Sequence, residues 1–197
     1  MARRPAPPKG DVVLTDASAV RALAHPARLA VIDALYAGEV LTATQCAALA
    51  GITPSAMSYH LRALEKHGIV VRADASADGR ERPWMRAGDR LSTSLREQGK
   101  PGRGAAAASG LLVEQSMALD SGRLRRAMAS DGDDDTWART TTYSRDLLVL
   151  TPDEARALRD SIEAVVEPYL AEKRRTKRPK GASTFGFSIV LARDPDA

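Results

Sequence analysis

The sequence is poor in the residues from which disulfide frameworks, metal centres and aromatic cores are built. Its 197 residues include one cysteine, three histidines and 4% aromatic residues. One cysteine cannot form an internal disulfide and cannot by itself build a zinc site. Because aromatic side chains are scarce, the core must consist mostly of Ala, Leu, Val and Ile, which favours helices. No apolar run approaches the roughly 20 residues that a membrane-spanning helix needs.

Motifs of common enzyme classes are also missing. The sequence has no glycine-rich phosphate loop, no helix with paired histidine ligands and no Gly-x-Ser-x-Gly turn. All three histidines lie within the first 67 residues, so a Ser-His-acid arrangement has little to draw on. We therefore predict a protein that is not an enzyme, with no catalytic residue, no metal site and no cofactor.

The charge pattern permits nucleic-acid binding without requiring it, since the net charge is only +4. Two stretches concentrate the basic residues: Arg80, Arg82, Arg86 and Arg90 in one, and Lys173, Arg174, Arg175, Lys177, Arg178 and Lys180 in the other. The second stretch is typical of a solvated loop, and a secondary phosphate contact stays open there. The amino-terminal residues are basic with no apolar stretch behind them, so we expect no secretory signal and a cytoplasmic location.

Composition divides the chain into an arm and two domains. Residues 1–14 hold three prolines and predict a flexible arm. Residues 15–92 predict a first domain, and the stretch 97–104, rich in glycine, predicts a linker. Residues 105–197 predict a second domain. Helices outnumber a few short strands throughout, so we expect a mainly α fold of the α+β class.

The first domain shows start signals for four helices. In chain order these signals are Thr15 or Asp16, Pro26, Thr42 or Thr44, and Thr53 followed by Pro54. Gly51 supplies the tight turn between the third and fourth helices. Beyond Gly68, residues 69–71 and 83–85 predict two strands joined around the turn Asp78-Gly79. This order predicts a helix-turn-helix followed by a two-stranded wing.

A helix-turn-helix lays its second helix in the major groove of DNA. The fourth helix has an apolar stripe of Met57, Leu61 and Leu64, with polar residues opposite. Arg80 and Arg82 flank the predicted wing tip and are candidate contacts to the DNA backbone or the minor groove. The helix residues predicted to contact DNA are Thr53, Ser55, Ser58, Tyr59, Arg62 and, to one side, His60.

The segment from Ala19 to Arg86 resembles the winged helix-turn-helix of the ArsR-type bacterial transcriptional repressors. Its most specific residues are His25-Pro26 with Arg28, and Ser58-Tyr59-His60-Leu61-Arg62 with Leu64, Gly68 and Ile69. The resemblance implies a homodimer that binds a palindromic double-stranded DNA operator and responds to an effector. It implies DNA-reading roles for Ser55, Ser58, Tyr59, His60 and Arg62, and wing contacts from Arg80 and Arg82.

The chain departs from the metal-sensing members of that family, which carry paired cysteines in the helix corresponding to residues 44–50. Only Cys46 occurs there, and no histidine lies beyond His67. We therefore interpret Cys46 as a small buried hydrophobe. The segment after Ser92 resembles the added carboxy-terminal segments of members without metal ligands, whose small-molecule effector is undefined.

The second domain is expected to join two copies of the chain. Apolar spacing predicts a long helix over residues 105–128 and another over 152–171. Shorter apolar runs over 137–143, 147–150 and 183–192 predict strands. We expect the long helix, together with the first helix and the 152–171 helix, to form the dimer interface. Any effector pocket is expected in this domain.

Other functions stay open from the sequence. A winged helix can serve as a protein-interaction module or a small-molecule-binding protein without touching DNA. An enzyme whose second domain binds a small substrate is a third alternative. Among the histidines, His60 suits either a structural role or a DNA contact, whereas His25 and His67 favour structural roles at helix ends.

Overall fold

The computed structural model describes residues 10–73, 82–93, 103–130, 140–174 and 177–193. The chain divides into two compact units, residues 1–119 and 120–197. Its strands are β1 (Val12–Leu14), β2 (Val70–Arg72), β3 (Trp84–Arg86) and β4 (Leu91–Thr93). Its helices are α1 (Ala17–Leu23), α2 (Pro26–Tyr36), α3 (Ala43–Ala50), α4 (Pro54–Lys66), α5 (Arg103–Ser130), α6 (Pro152–Val166), a 3-10 turn (Glu167–Tyr169) and α7 (Ala171–Arg174). The predicted mainly α fold of the α+β class is confirmed.

The first helices begin where their capping residues predict. Asp16 Oδ1 accepts hydrogen bonds from the backbone N–H groups of Ser18 and Ala19 at 2.8 and 3.0 Å. The Ser18 hydroxyl also donates to this carboxylate, and together these bonds lower the pKa of Asp16. Thr42 and Gln45 form a reciprocal capping box at the start of α3. These bonds satisfy backbone donors that the first turn of a helix leaves unpaired.

The core of the first unit is aliphatic, as the composition predicts. Its most deeply buried apolar residues are Val20, Val31, Leu35, Cys46, Met57, Leu61, Leu64, Ile69, Val70 and Trp84. Ala108 of α5 joins this core. At its edge the Tyr36 hydroxyl donates to the Ile69 carbonyl at 2.8 Å, and burial raises the pKa of Tyr36 to about 12. This phenol is therefore a neutral structural donor.

The predicted hairpin is present, displaced by one residue. Strands β2 and β3 pair antiparallel, with Val70 opposite Arg86 and Arg72 opposite Trp84. The predicted turn Asp78-Gly79 lies outside the described residues, as does Arg80. Arg86 does not belong to the exposed basic cluster that the sequence suggested, because its side chain is 2% exposed. Its guanidinium instead donates to the Gly88 carbonyl and, at 2.9 Å, to the Asp89 carboxylate.

The amino-terminal arm is shorter than predicted. Strand β1 pairs in parallel with β4, placing Val12 opposite Leu91. Asp89 donates its backbone N–H to the Gly10 carbonyl at 2.6 Å, which extends this junction. The expectation of a flexible arm over residues 1–14 is therefore wrong for residues 12–14. The physical reason is the apolar run ending at Leu14, whose side chain is buried in the core.

The second unit keeps the predicted helices but not the predicted strands. Helix α5 extends two residues beyond the predicted 105–128 at each end, and Thr151 caps α6 through a second capping box. The described residues 140–150 and 182–193 contain no strand, which corrects the predictions at 147–150 and 183–192. The apolar runs are present but lack a neighbouring strand with which to form backbone hydrogen bonds. The 137–139 part of the third prediction lies outside the described residues.

Replacing Gly88 by alanine is expected to destabilise the first unit by about 1–3 kcal/mol through overpacking. A β-carbon at this position would meet the Gly10 carbonyl oxygen and would lie 2.9 Å from Val12 Cγ2. Gly110→Ala is the matched control, because that helical position opens into free space and alanine favours helix. Urea unfolding of both variants tests the contrast. Equal stability of Gly88→Ala and the wild type would contradict the close junction of β1 with the 88–93 segment.

Candidate nucleic-acid interface

Helices α3 and α4 form the predicted helix-turn-helix. Gly51 ends α3 in the left-handed conformation, with φ of 66°, which glycine adopts without strain. The Ile52 N–H donates back to the Ala47 carbonyl at 3.1 Å and tightens the turn. Thr53 then caps α4, its hydroxyl oxygen accepting the Ala56 N–H at 3.3 Å. The turn and the cap together set the direction in which α4 leaves α3.

The two faces of α4 have opposite environments. Met57, Leu61 and Leu64 are fully buried in the core. On the opposite side Ser55 and Arg62 are exposed, as is Tyr59, at 67% of its full accessibility. The sequence predicted this division from the i, i+4, i+7 spacing of the apolar residues. The structure thus presents a polar, cationic helix face to solvent.

The hydroxyl groups along α4 differ in their freedom to contact a ligand. Ser58 Oγ donates to the Pro54 carbonyl at 2.8 Å, so its proton is used within the helix and its lone pairs stay available as acceptors. The Thr53 hydroxyl is engaged in the cap. Among the described residues, Ser55 Oγ has no hydrogen-bond partner. Ser55 is therefore the hydroxyl on this face that can both donate and accept.

His60 is placed differently from the other predicted contacts, because it belongs to a half-buried group that we call the histidine cluster: His25, Arg28 and His60. Arg28 Nε donates to His60 Nδ1 at 3.2 Å. The centroids of the two imidazole rings lie 4.4 Å apart. His25 caps α2, its Nδ1 accepting the Ala27 N–H at 3.2 Å. Arg28 also donates to the Ala22 carbonyl, which ties α1 to the cluster.

The environment of the histidine cluster favours neutral imidazoles. Burial is the main cause that lowers the pKa of His60, and the neighbouring His25 and Arg28 lower it further. Burial and the charge of Arg28 likewise lower the pKa of His25. Arg28 keeps its charge at neutral pH, although burial lowers the pKa of its guanidinium too. The cluster therefore holds one permanent cation and two uncharged rings.

The wing contains an arginine that sequence reasoning missed. The Arg72 guanidinium lies over the buried Trp84 ring, 3.8 Å from the ring centroid. Its Nη1 donates to the Arg82 carbonyl at 3.2 Å, while the Arg82 side chain itself is exposed. The signal was the pairing of an arginine with a tryptophan across the predicted hairpin, one of the arrangements that favour cation–π contact. Arg72 thereby stiffens the strand pair at the base of the wing.

Cys46 is unsuited to redox sensing or metal binding. Its thiol is fully buried in the core, and this burial raises its pKa to about 11. A reactive cysteine needs a lowered pKa and access to solvent. Among the described residues no group of three or more His, Cys, Asp or Glu side chains is arranged to hold a metal ion. The described helices also include none that is long and apolar enough to cross a membrane.

Comparison with known proteins identifies the central region of the first unit. Residues 23–73 match the model of a family described as a helix-turn-helix domain. The match runs from the end of α1 to the residue after β2 and contains both helices of the motif. No curated protein matches the chain. The chain therefore carries a helix-turn-helix domain, and its membership of the ArsR subtype stays a prediction.

The free energy of unfolding is expected to fall as the pH drops below about 6.5, the ordinary histidine pKa. Because the pKa values of His25 and His60 are lowered in the folded state, the unfolded chain takes up protons first as the solution is acidified. The stabilisation is complete above that pH and is lost as the pH falls through the folded-state pKa values.

Urea titrations between about pH 5 and pH 8 test this dependence, since histidine titrates in that range. A His25→Gln, His60→Gln double variant is the control, and its stability should vary less with pH. The same pH dependence in both proteins would contradict the neutral cluster.

Proposed function

We propose that the protein is a transcription regulator that binds double-stranded DNA sequence-specifically, acting as a homodimeric repressor on a palindromic operator. The observation that carries the proposal is the outward face of α4, where Ser55, Tyr59 and Arg62 are exposed while the opposite stripe is fully buried. A helix anchored in this way and following a tight turn suits insertion into the major groove. No catalytic step is part of the proposal.

Each exposed group on α4 has a chemistry that suits one part of the DNA. The Arg62 guanidinium can donate two parallel hydrogen bonds to O6 and N7 of a guanine. Ser55 lies in the first turn, where a hydroxyl beside the positive end of the helix dipole favours a phosphate or a base edge. Arg82, with Arg80 as its predicted neighbour, would contact the sugar–phosphate backbone from the wing. Thr53 and Ser58 would assist mainly by fixing the helix start.

A homodimer follows from the geometry of DNA and is supported by uncovered apolar side chains. Two recognition helices must lie about 34 Å apart to enter successive major grooves, and the proposal assigns one to each chain. Val113 and Met117 of α5 and Val165 of α6 are all more than half exposed. Among the described residues from 120 onward none is buried. These surfaces would be covered by a second copy.

The repressor role and the response to a small-molecule effector rest on the resemblance to the ArsR-type regulators. A dimer bound across a promoter blocks access to it, and a ligand that favours one conformation of the dimer would change DNA affinity. We assign effector binding to the second unit, since the core of the first unit is filled. A cytoplasmic location accompanies a DNA-binding role.

Arg62→Ala is expected to weaken binding to the preferred duplex by about 1–3 kcal/mol and to relax base preference at one position. Arg62→Lys keeps the charge but loses the two-pronged geometry, so it should recover affinity without recovering the preference. Arg82→Ala should instead weaken all duplexes alike and flatten the salt dependence. Band shifts with a duplex selected from a random pool test all three variants. Unchanged affinity and preference in Arg62→Ala would defeat the assignment.

Charged substitutions on the uncovered helices are expected to separate the two copies. Met117→Glu and Val165→Glu each place a carboxylate on a surface that the proposed dimer covers, and burying an unpaired charge is costly. Light scattering during gel filtration should report two chains for the wild type and one for the combined variant. Glu163→Gln, at an exposed position beside Val165 in the sequence, is the control. A single chain in the wild type at micromolar concentration would overturn the dimer.

A further inference from the structure

The histidine cluster fixes which nitrogen of His60 carries the proton. An arginine Nε–H can only donate, so the His60 Nδ1 that receives it at 3.2 Å must be unprotonated. A neutral imidazole with a free Nδ1 carries its proton on Nε2. His25 is held in the same form, because its Nδ1 accepts the backbone N–H of Ala27. Arg28 therefore selects one tautomer of His60.

The position of His60 on α4 determines what its second nitrogen can reach. His60 follows the exposed Tyr59 by one residue, which is about 100° around the helix. Its ring is half-buried, at the edge between the outward face and the core. Among the described residues no hydrogen bond is made by His60 Nε2. A donor at the edge of a recognition helix faces the sugar–phosphate backbone that borders the groove, whereas the centre of the face meets base edges.

We propose that Arg28 is a positioning residue for DNA binding: it holds His60 as the neutral Nε2–H tautomer, which donates to a backbone phosphate oxygen. This inference rests on the proposed function and adds a contact whose role is to set the depth of α4 in the groove. His60 then binds DNA without reading its sequence. Arg28 acts through His60, in addition to tying α1 to the cluster.

The contact is that of a neutral donor because the surroundings of His60 contain no compensating acid. The titratable and charged groups that face it are Arg28 and His25 from the start of α2 and Tyr59 from α4. A second positive charge between Arg28 and His25 would be repelled, and a proton on Nδ1 would oppose the Arg28 N–H. Loss of the His60 contact should therefore lower affinity without changing the salt dependence, because no phosphate charge is neutralised by it.

Two substitutions at His60 separate its two nitrogens. An asparagine places its side-chain oxygen near the Nδ1 position, so His60→Asn keeps an acceptor for Arg28 but has no donor at Nε2. The longer glutamine of His60→Gln brings an amide N–H near the Nε2 position. We expect His60→Asn to lose about three- to tenfold in affinity, the worth of one hydrogen bond. His60→Gln should stay within about twofold of the wild type, and both should keep the wild-type salt dependence.

The probe is the tightest duplex recovered from a random pool, with a shuffled version of the same duplex beside it. The loss in His60→Asn should be equal on the two duplexes, because a phosphate contact carries no sequence information. A loss confined to one base position, unchanged affinity in His60→Asn, or an equal loss in His60→Gln would overturn the proposal.

The role of Arg28 is tested on the protein without DNA. Proton–nitrogen NMR correlations of the imidazole rings distinguish the two tautomers and the cation. Above about pH 7, where histidine is ordinarily neutral, the wild type should show His60 as the Nε2–H form alone, and Arg28→Met should show a mixture. A wild-type Nδ1–H form or a cation at that pH would contradict the inference.

A matched charge variant separates positioning by Arg28 from its electrostatic attraction to DNA. Arg21→Met removes the same charge from an exposed position on α1. Arg28→Met should bind the duplex about three- to tenfold more weakly than Arg21→Met, the worth of one hydrogen bond. Equal affinities would overturn the positioning role. Should Arg28→Met unfold, His60→Asn still carries the test, since Arg28 is intact in it.

Failure of this inference is distinguishable from failure of the proposed function. If the wild type selects no duplex from the pool, the DNA-binding proposal fails, while the NMR result still reports the tautomer. If the wild type binds a selected duplex tightly and His60→Asn binds it equally well, the regulator stands and the phosphate contact falls.

Discussion

The burial of one apolar stripe on α4 is the constraint on which the DNA-facing surface depends. Met57, Leu61 and Leu64 are fully excluded from solvent, and burial of such side chains stabilises by roughly 1.5–3 kcal/mol each. Rotating the helix by one residue, about 100°, would expose these side chains. The same packing that stabilises the first unit therefore fixes Ser55, Tyr59 and Arg62 on the outside. Surface chemistry here is a consequence of the core.

Local hydrogen bonds then decide which polar groups are available to a ligand. The Thr53 hydroxyl is used in the helix cap and the Ser58 proton in a bond to the Pro54 carbonyl. Arg72 lies over Trp84, and Arg86 is buried beside Asp89. A count of basic residues overstates the cationic surface, because these two arginines serve the hairpin and its continuation. The exposed groups on α4 and Arg82 carry the proposed recognition.

Local signals in the sequence predicted most of the first unit, since caps, prolines and glycines act within a few residues. The pairing of β1 with β4 was not predictable in this way, because it joins segments distant in the chain. The orientation of His60 depends likewise on its packing against α2. In the second unit, apolar runs such as 147–150 predicted strands, but a strand also needs a partner, and periodicity does not show whether one exists. The wing tip with Arg80 lies beyond the described residues.

The central claim is that the outward face of α4 reads DNA in a twofold pair of chains. It is tested most directly by selecting duplexes from a random pool with the full-length protein and measuring the mass of the resulting complex. The account predicts an enriched sequence with two inverted half-sites one helical turn apart, bound by two chains. A pool that stays random after selection, or a complex containing one chain on an asymmetric site, would contradict it.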